Sequence, residues 1–270
     1  MWYRLKLAIL RNDFLHEWIR RWMNWRGITV GDYARIPEYI RQHAPSHSFA
    51  DIGCMWGVNG EYSFIAAEAG ATQVKAVDVF GPTPEFEAKH AERGERVEFI
   101  LGDVSSPSTL ERIGVMDVVF CAGVLYHHPS PFDLLVALRR ICRKTLILRT
   151  ASIPEVRSLR NAAIYYPYLP DKDRRIWGRP RPGASTKIGI DTPFDPAQGY
   201  GNFFWGFTPS CLVSLVETAG FRVDHRAHEA FAQTLICTPV EPPMQHEVPD
   251  EEESRRVAGE ISAAEIAHPA

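Results

Sequence analysis

The sequence predicts a doubly wound α/β fold, a mostly parallel sheet with helices on both faces, and three observations carry that prediction. From Phe49 onward, short apolar runs alternate with helical stretches. The first run breaks into a glycine-bearing turn that leads into a helix. Acidic residues stand at or near the ends of consecutive apolar runs, at Asp51, Asp78 and Asp103. Alternation of strand and helix at this rhythm gives parallel strands, and right-handed crossovers line their C-terminal ends along one ligand-bearing edge.

Taken in order, Met1 to Gly27 reads as an amphipathic basic helix. Phe14, Trp18, Trp22 and Trp25 recur at helical spacing, with Arg4, Lys6, Arg11, Arg20, Arg21 and Arg26 among them. It can pack on the domain, close over a pocket as a lid, or lie on a membrane surface. A second helix follows, from Tyr33 or Pro37 to His43. Residues 1–46 are therefore expected to form a helical lid. Phe49–Ile52 is the first strand and Val58–Gly70 a helix ended by its glycine. Val74–Val79 is the second strand, Pro84–Arg93 a helix and Val97–Leu101 the third strand. Met116–Cys121 is the fourth strand, Phe132–Ile141 a helix and Thr145–Leu148 the fifth strand. Residues 151–206 interrupt the alternation with Pro, Gly and many aromatic residues, as a functional cap does. The pattern resumes with a helix from Thr208 to Gly220 and strands at Phe221–Asp224 and Ala232–Val240, which completes a main domain over residues 47–240. Residues 241–270 hold eight acids and two arginines, and much of this tail is expected to be disordered.

Composition narrows the function. With 270 residues and 45% hydrophobic content the chain can bury a sizeable core, and its net charge of −3 provides no general attraction to nucleic acid. The five cysteines are widely spaced and form no metal-ligand pair, which suits reduced thiols in the cytoplasm. The apolar run Leu7–Leu10 is too short for a secretion signal or a membrane span.

The turn Asp51-Ile52-Gly53-Cys54-Met55-Trp56-Gly57 permits positive φ and lets a ligand approach the backbone, and the following helix start offers free amides. Its spacing resembles the first motif of class I S-adenosylmethionine (SAM) methyltransferases. Met55 stands where that motif has its middle glycine, so the turn is expected to shift by a residue or more toward Gly57-Val58-Asn59-Gly60. For such a cofactor the turn, with Asp51, Gly53, Cys54 and Gly57, would receive the amino-acid end. Asp78 would accept from the ribose hydroxyls, and Asp103 from the adenine amino group, with Val79 and Val104 on either side of the ring.

A closer likeness lies in Met116 to Pro131, with its Cys121-Ala122-Gly123-Val124-Leu125-Tyr126-His127-His128-Pro129 core. This run is similar to the segment after the fourth strand in the methyltransferase group around the tRNA wobble-uridine oxyacetate enzymes and their small-molecule relatives. Asn202 to Ser210, leading into the helix ended by Gly220-Phe221, looks like that group's C-terminal half. The resemblance implies a seven-stranded Rossmann-like methyltransferase sheet, SAM as cofactor, and Cys121, Ala122 and Gly123 along its methionine end.

Methyl transfer to a hydroxyl benefits from a general base, and His127 and His128 follow the fourth strand at the ligand-bearing edge. Either can serve. No acids or cysteines lie at metal-ligand spacing from them, and no metal is expected. Tyr126, Tyr165, Tyr166, Trp177, Phe204 and Trp205 are the candidate walls of an acceptor pocket. Arg174, Arg175, Arg179, Arg181 and Lys187 add positive charge that can read phosphates or keep the insertion soluble. The expectation is O-methylation of a small natural-product or sugar-like hydroxyl. A tRNA acceptor and a non-catalytic SAM-fold binding protein are the alternatives.

Overall fold

The computed structural model describes residues 5, 8, 9, 12–26, 35–94, 96–156, 159–177, 192–228 and 232–240. The acidic stretch 241–270 and the basic residues Arg4, Lys6, Arg11, Arg179, Arg181 and Lys187 lie outside them, as do the side chains of Arg175 and Trp177.

Helices α1 (Asp13–Trp25) and α2 (Ile36–His43) precede β1 (Ser48–Ile52). Then follow α3 (Glu61–Glu68), β2 (Gln73–Asp78), α4 (Pro84–Glu92), β3 (Glu98–Leu101), α5 (Pro107–Ile113) and β4 (Met116–Ala122). A 3₁₀ turn at Leu125–His127 leads to α6 (Pro131–Ile141) and β5 (Cys142–Ala151). The insertion contributes β6 (Ala163–Tyr165), α7 (Asp171–Trp177), a 3₁₀ segment at Pro196–Gly201 and β7 (Trp205–Phe207). The chain closes with α8 (Pro209–Thr218), β8 (Phe221–His228) and β9 (Ala232–Pro239).

The main sheet has seven strands in the order β3-β2-β1-β4-β5-β9-β8. The five strands β1 to β5 pair in parallel, and β9 runs antiparallel to both β5 and β8. Strand order reverses between β1 and β4, and at such a switch point a crevice opens beyond the strand C-termini. Alternate side chains feed two cores. Ala50, Ile52, Val119, Cys121, Leu146 and Leu148 pack on one face beneath α5, α6 and α8. Phe49, Ala76, Val118, Phe120 and Ile147 pack on the other with α2, α3 and α4. The near-continuous apolar runs read as buried strands because both faces are covered.

Several boundaries move for physical reasons. The helix expected from Val58 begins at Glu61, because Gly57, Asn59 and Gly60 all have positive φ, which an α-helix excludes. The second strand ends at Asp78, one residue before Val79. The fifth extends over Cys142–Ala151, since β4 and β9 flank it on both sides. Three pieces escaped sequence reading: α5, helix α7 and the small antiparallel sheet of β6 with β7. That sheet is tied to the end of β5 through Ile153, whose N–H donates to the Phe207 carbonyl at 2.9 Å.

Candidate functional site

The glycine turn is built around three left-handed glycines and one buried plug. Gly53, Gly57 and Gly60 have φ of +81°, +74° and +70°. At Gly53 a methyl group would lie 2.2 Å from the Val124 Cγ2, so the turn presses directly on the loop after β4. Met55 needs no unusual backbone: it is absent from the positive-φ residues and its side chain is buried in the core beside Phe49 and Phe64. The reversal runs on to Gly60, whose N–H donates to the Cys54 carbonyl at 2.7 Å.

Asp78, at the end of β2, holds this turn. Its Oδ2 accepts from the Met55 amide at 2.7 Å and its Oδ1 from the Phe80 amide at 2.9 Å. Burial raises its pKa, while the hydrogen bonds from Phe80, Met55 and Val79 oppose that shift. Asp51 is more deeply buried, and its Oδ2 accepts from the Ser63 hydroxyl at 2.6 Å, joining β1 to α3. Burial pushes the Asp51 carboxyl up to about 7, and the charge of Asp78 adds to the effect. The side chains of Cys54, Cys121 and Val104 are buried in the two cores. Ala122 is half-buried, and Gly123 turns the chain with φ +79°. Val79 is exposed beside Phe80.

Asp103 follows β3 and is doubly engaged. Its Oδ1 accepts from the Ser105 amide at 2.8 Å, and its Oδ2 accepts from the Tyr200 hydroxyl at 2.5 Å. Burial and the Asp103 carboxylate together push the Tyr200 phenol up to about 12. Tyr200 belongs to the insertion, and its ring stacks on His128 with centroids 5.4 Å apart. The adjoining residues continue along the same edge. The Phe204 amide donates to the Tyr126 carbonyl at 2.9 Å, the Trp205 indole N–H to the Pro129 carbonyl at 2.9 Å, and a methyl on Gly201 would touch Trp56 at 3.6 Å.

The two histidines have different surroundings. His127 Nδ1 is 2.8 Å from the Asn202 carbonyl oxygen, which can only accept, so Nδ1 carries the proton and Nε2 the lone pair. Nε2 has no hydrogen-bond partner among the described residues. The ring is stacked on Trp56 at 5.5 Å and lies 4.4 Å from both Tyr126 and Phe203. Burial lowers its pKa to about 4, against a smaller opposing effect of the Asn202 bond. His128 has both nitrogens occupied, Nδ1 at 2.7 Å from the Ser130 carbonyl and Nε2 at 2.9 Å from the Ser105 hydroxyl. Burial lowers its pKa as well.

The aromatic candidates divide. Tyr126 sits at the edge, stacked on Phe203 at 4.9 Å, and Phe204 follows directly. Tyr165 and Trp205 pair at 4.9 Å on the small sheet. Tyr166 is buried with Ile153 in a separate apolar cluster, its hydroxyl against Gly206. Arg174 is buried and bridged to Asp171 on its own helix. Sequence reading did not single out Trp56, Tyr200, Asn202 or Ser105 as site residues. The aromatic density of the insertion was the one available signal, and it did not say which rings return to the sheet edge.

Residues 50–148 match the family described as "Methyltransferase domain". No curated protein matches the chain in sequence. Among solved structures, the chain is similar to the Burkholderia thailandensis 1,6-didemethyltoxoflavin-N1-methyltransferase with bound 1,6-didemethyltoxoflavin and S-adenosylhomocysteine. That match has a TM-score of 0.52 and 17% identity, over 88% of this chain and 91% of the other. The N-terminal domain of EvdMO1 with S-adenosylhomocysteine bound is similar at TM-score 0.51 and 17% identity, over 79% of this chain and 82% of that one. The [4+2]-cyclase SpnF is similar at TM-score 0.51 and 13% identity, over 76% and 80% of the two chains. At such identities the likeness shows the fold, and a cyclase among these structures shows that the fold alone does not name a reaction. With its seven-stranded sheet and a methyltransferase-domain match from β1 through β5, the chain has the fold of the class I SAM-dependent methyltransferases.

Proposed function

We propose that the protein is a SAM-dependent methyltransferase that methylates a hydroxyl of a small aromatic or sugar-like acceptor, with His127 as the general base. The residues present fit the cofactor. A turn of positive-φ glycines follows β1, Asp78 ends the adjacent β2, Asp103 follows β3, and Val79 and Phe80 are exposed just after Asp78. When bound, SAM supplies an electrophilic methyl group on a sulfonium. The work of the chain is to orient the acceptor and take its proton. Asp78 would accept from the ribose hydroxyls, Asp103 from the adenine amino group, and the backbone of Gly53, Cys54, Gly57 and Cys121 to Gly123 would border the methionine end. Asp51 supports the turn through Ser63. Tyr126, Phe204 and the neighbouring Phe203 and Trp56 would flank the acceptor.

The observation that carries the choice of base is the Asn202 bond to His127 Nδ1, which leaves a neutral Nε2 lone pair unclaimed, while on His128 Ser105 engages Nε2 and Ser130 engages Nδ1. The test is transfer of label from S-[methyl-³H]SAM to a panel of phenols and glycosides, with bulk tRNA in parallel. Label on an oxygen of a small molecule is expected. Salt-sensitive label in tRNA would replace this reading with the nucleic-acid one. Absence of SAM binding by calorimetry would leave a non-catalytic binding protein.

A further inference from the structure

The aromatic face of α1 is turned outward. Phe14, Trp18, Trp22 and Trp25 recur at steps of four, four and three, which places them on one stripe of the helix. Their relative exposures are 82%, 58%, 45% and 77%. On the other side of the helix His16 is buried and Leu15, Ile19 and Met23 are partly buried. An amphipathic helix in a closed domain buries its bulkiest rings, and here they are presented to the surroundings.

Cations border this stripe. Arg21 is 77% exposed, and the Arg26 guanidinium lies over Trp22 and Trp25 at 6.0 and 5.9 Å. The acid among them, Glu17, is held down to about 2 by hydrogen bonds from Arg20 and Arg21. Over residues 1–26 the sequence has six Lys or Arg against two Asp or Glu. We infer that this face of α1 docks the protein on an anionic lipid surface, the tryptophans entering the headgroup boundary and the arginines meeting lipid phosphates. Tryptophan rings with an N–H edge and snorkelling arginines suit that boundary, where one side is apolar and the other wet. A second copy of the same face would bring like charges together, whereas an anionic bilayer supplies the opposite sign. No described helix is long and apolar enough to cross a membrane, so the contact is peripheral.

The test is flotation of the full chain with vesicles of phosphatidylcholine alone and of phosphatidylcholine mixed with phosphatidylglycerol. Partitioning onto the mixed vesicles is expected to exceed that on phosphatidylcholine by about tenfold or more at low salt. The double variant Trp18→Ala/Trp22→Ala is expected to lower it by about tenfold, and Arg21→Glu to lower it on mixed vesicles only. These positions are exposed, so melting should not change, and a melt of each variant checks that. Absence of flotation, or flotation that the double variant leaves intact, overturns the inference. So does a stable dimer in light scattering that the double variant dissociates, since the stripe would then be a self-association face.

Discussion

Tyr200 and Asp103 are 97 residues apart in the chain, yet the hydroxyl of one donates to the carboxylate of the other at 2.5 Å. The bond fastens the insertion across the strand ends and engages the acid proposed to receive adenine. A hydrogen bond to a charged acceptor contributes about 1.5–3 kcal/mol. Tyr200→Phe should therefore speed amide exchange across residues 196–204 by about tenfold or more, with little change at β4 and β5. SAM should have a similar local effect if its adenine takes over Asp103. Unchanged exchange in the variant would show that this contact does not hold the insertion down.

His127→Ala should reduce kcat by about 10²- to 10⁴-fold with little loss of SAM affinity, as expected for a positioned base. His128→Ala should act on stability instead, by about 1–3 kcal/mol, because it strips partners from Ser105 and Ser130 and removes the ring on which Tyr200 stacks. Equal loss of turnover in the two variants, with equal melts, would remove the distinction.

The low pKa of His127 has a signed consequence. Burial keeps the folded form neutral down to about 4, whereas an unfolded histidine protonates near 6.5. Between those values the unfolded chain binds more protons, so stability is full above 6.5 and declines as pH falls toward 4. The acidic limb of kcat should fall near 4. A limb near 6.5 would mean that the base is another group or that His127 is solvated in the working enzyme.

Asp78→Ala should weaken SAM binding and also loosen the glycine turn, at a cost of about 2–3 kcal/mol, since the Met55 and Phe80 amides lose a charged acceptor. Calorimetry and denaturant melts read the two effects separately. Normal SAM affinity in a folded variant would refute the ribose assignment.

Two glycines of the turn should respond differently. Gly53→Ala adds a methyl 2.2 Å from Val124 on top of a positive φ, and should cost at least about 3 kcal/mol. Gly57→Ala meets no atom within 4 Å and should cost only about 1–2 kcal/mol through its backbone. Denaturant midpoints with constant slope are the measurement.

Local information alone placed the strands: the segments of the sheet follow from apolar runs bounded by turns, because a strand buried on both faces needs no distant partner to declare itself, whereas the antiparallel direction of β9 against β5 and β8 was decided by the tertiary structure. The glycine turn and the acids at the strand ends were legible for the same reason, each being a residue type at a chain reversal. The tertiary structure decided what the sequence could not rank. Met55 is a core plug rather than a defect in the turn. Of two adjacent histidines, Asn202 orients one and Ser105 engages the other. Of the insertion's many rings, Tyr200 reaches Asp103, whereas Tyr166 is buried beside Ile153. The aromatic stripe of α1 faces outward. Each of these depends on which distant residue fills the space next to a side chain, and spacing along the chain does not encode that neighbour.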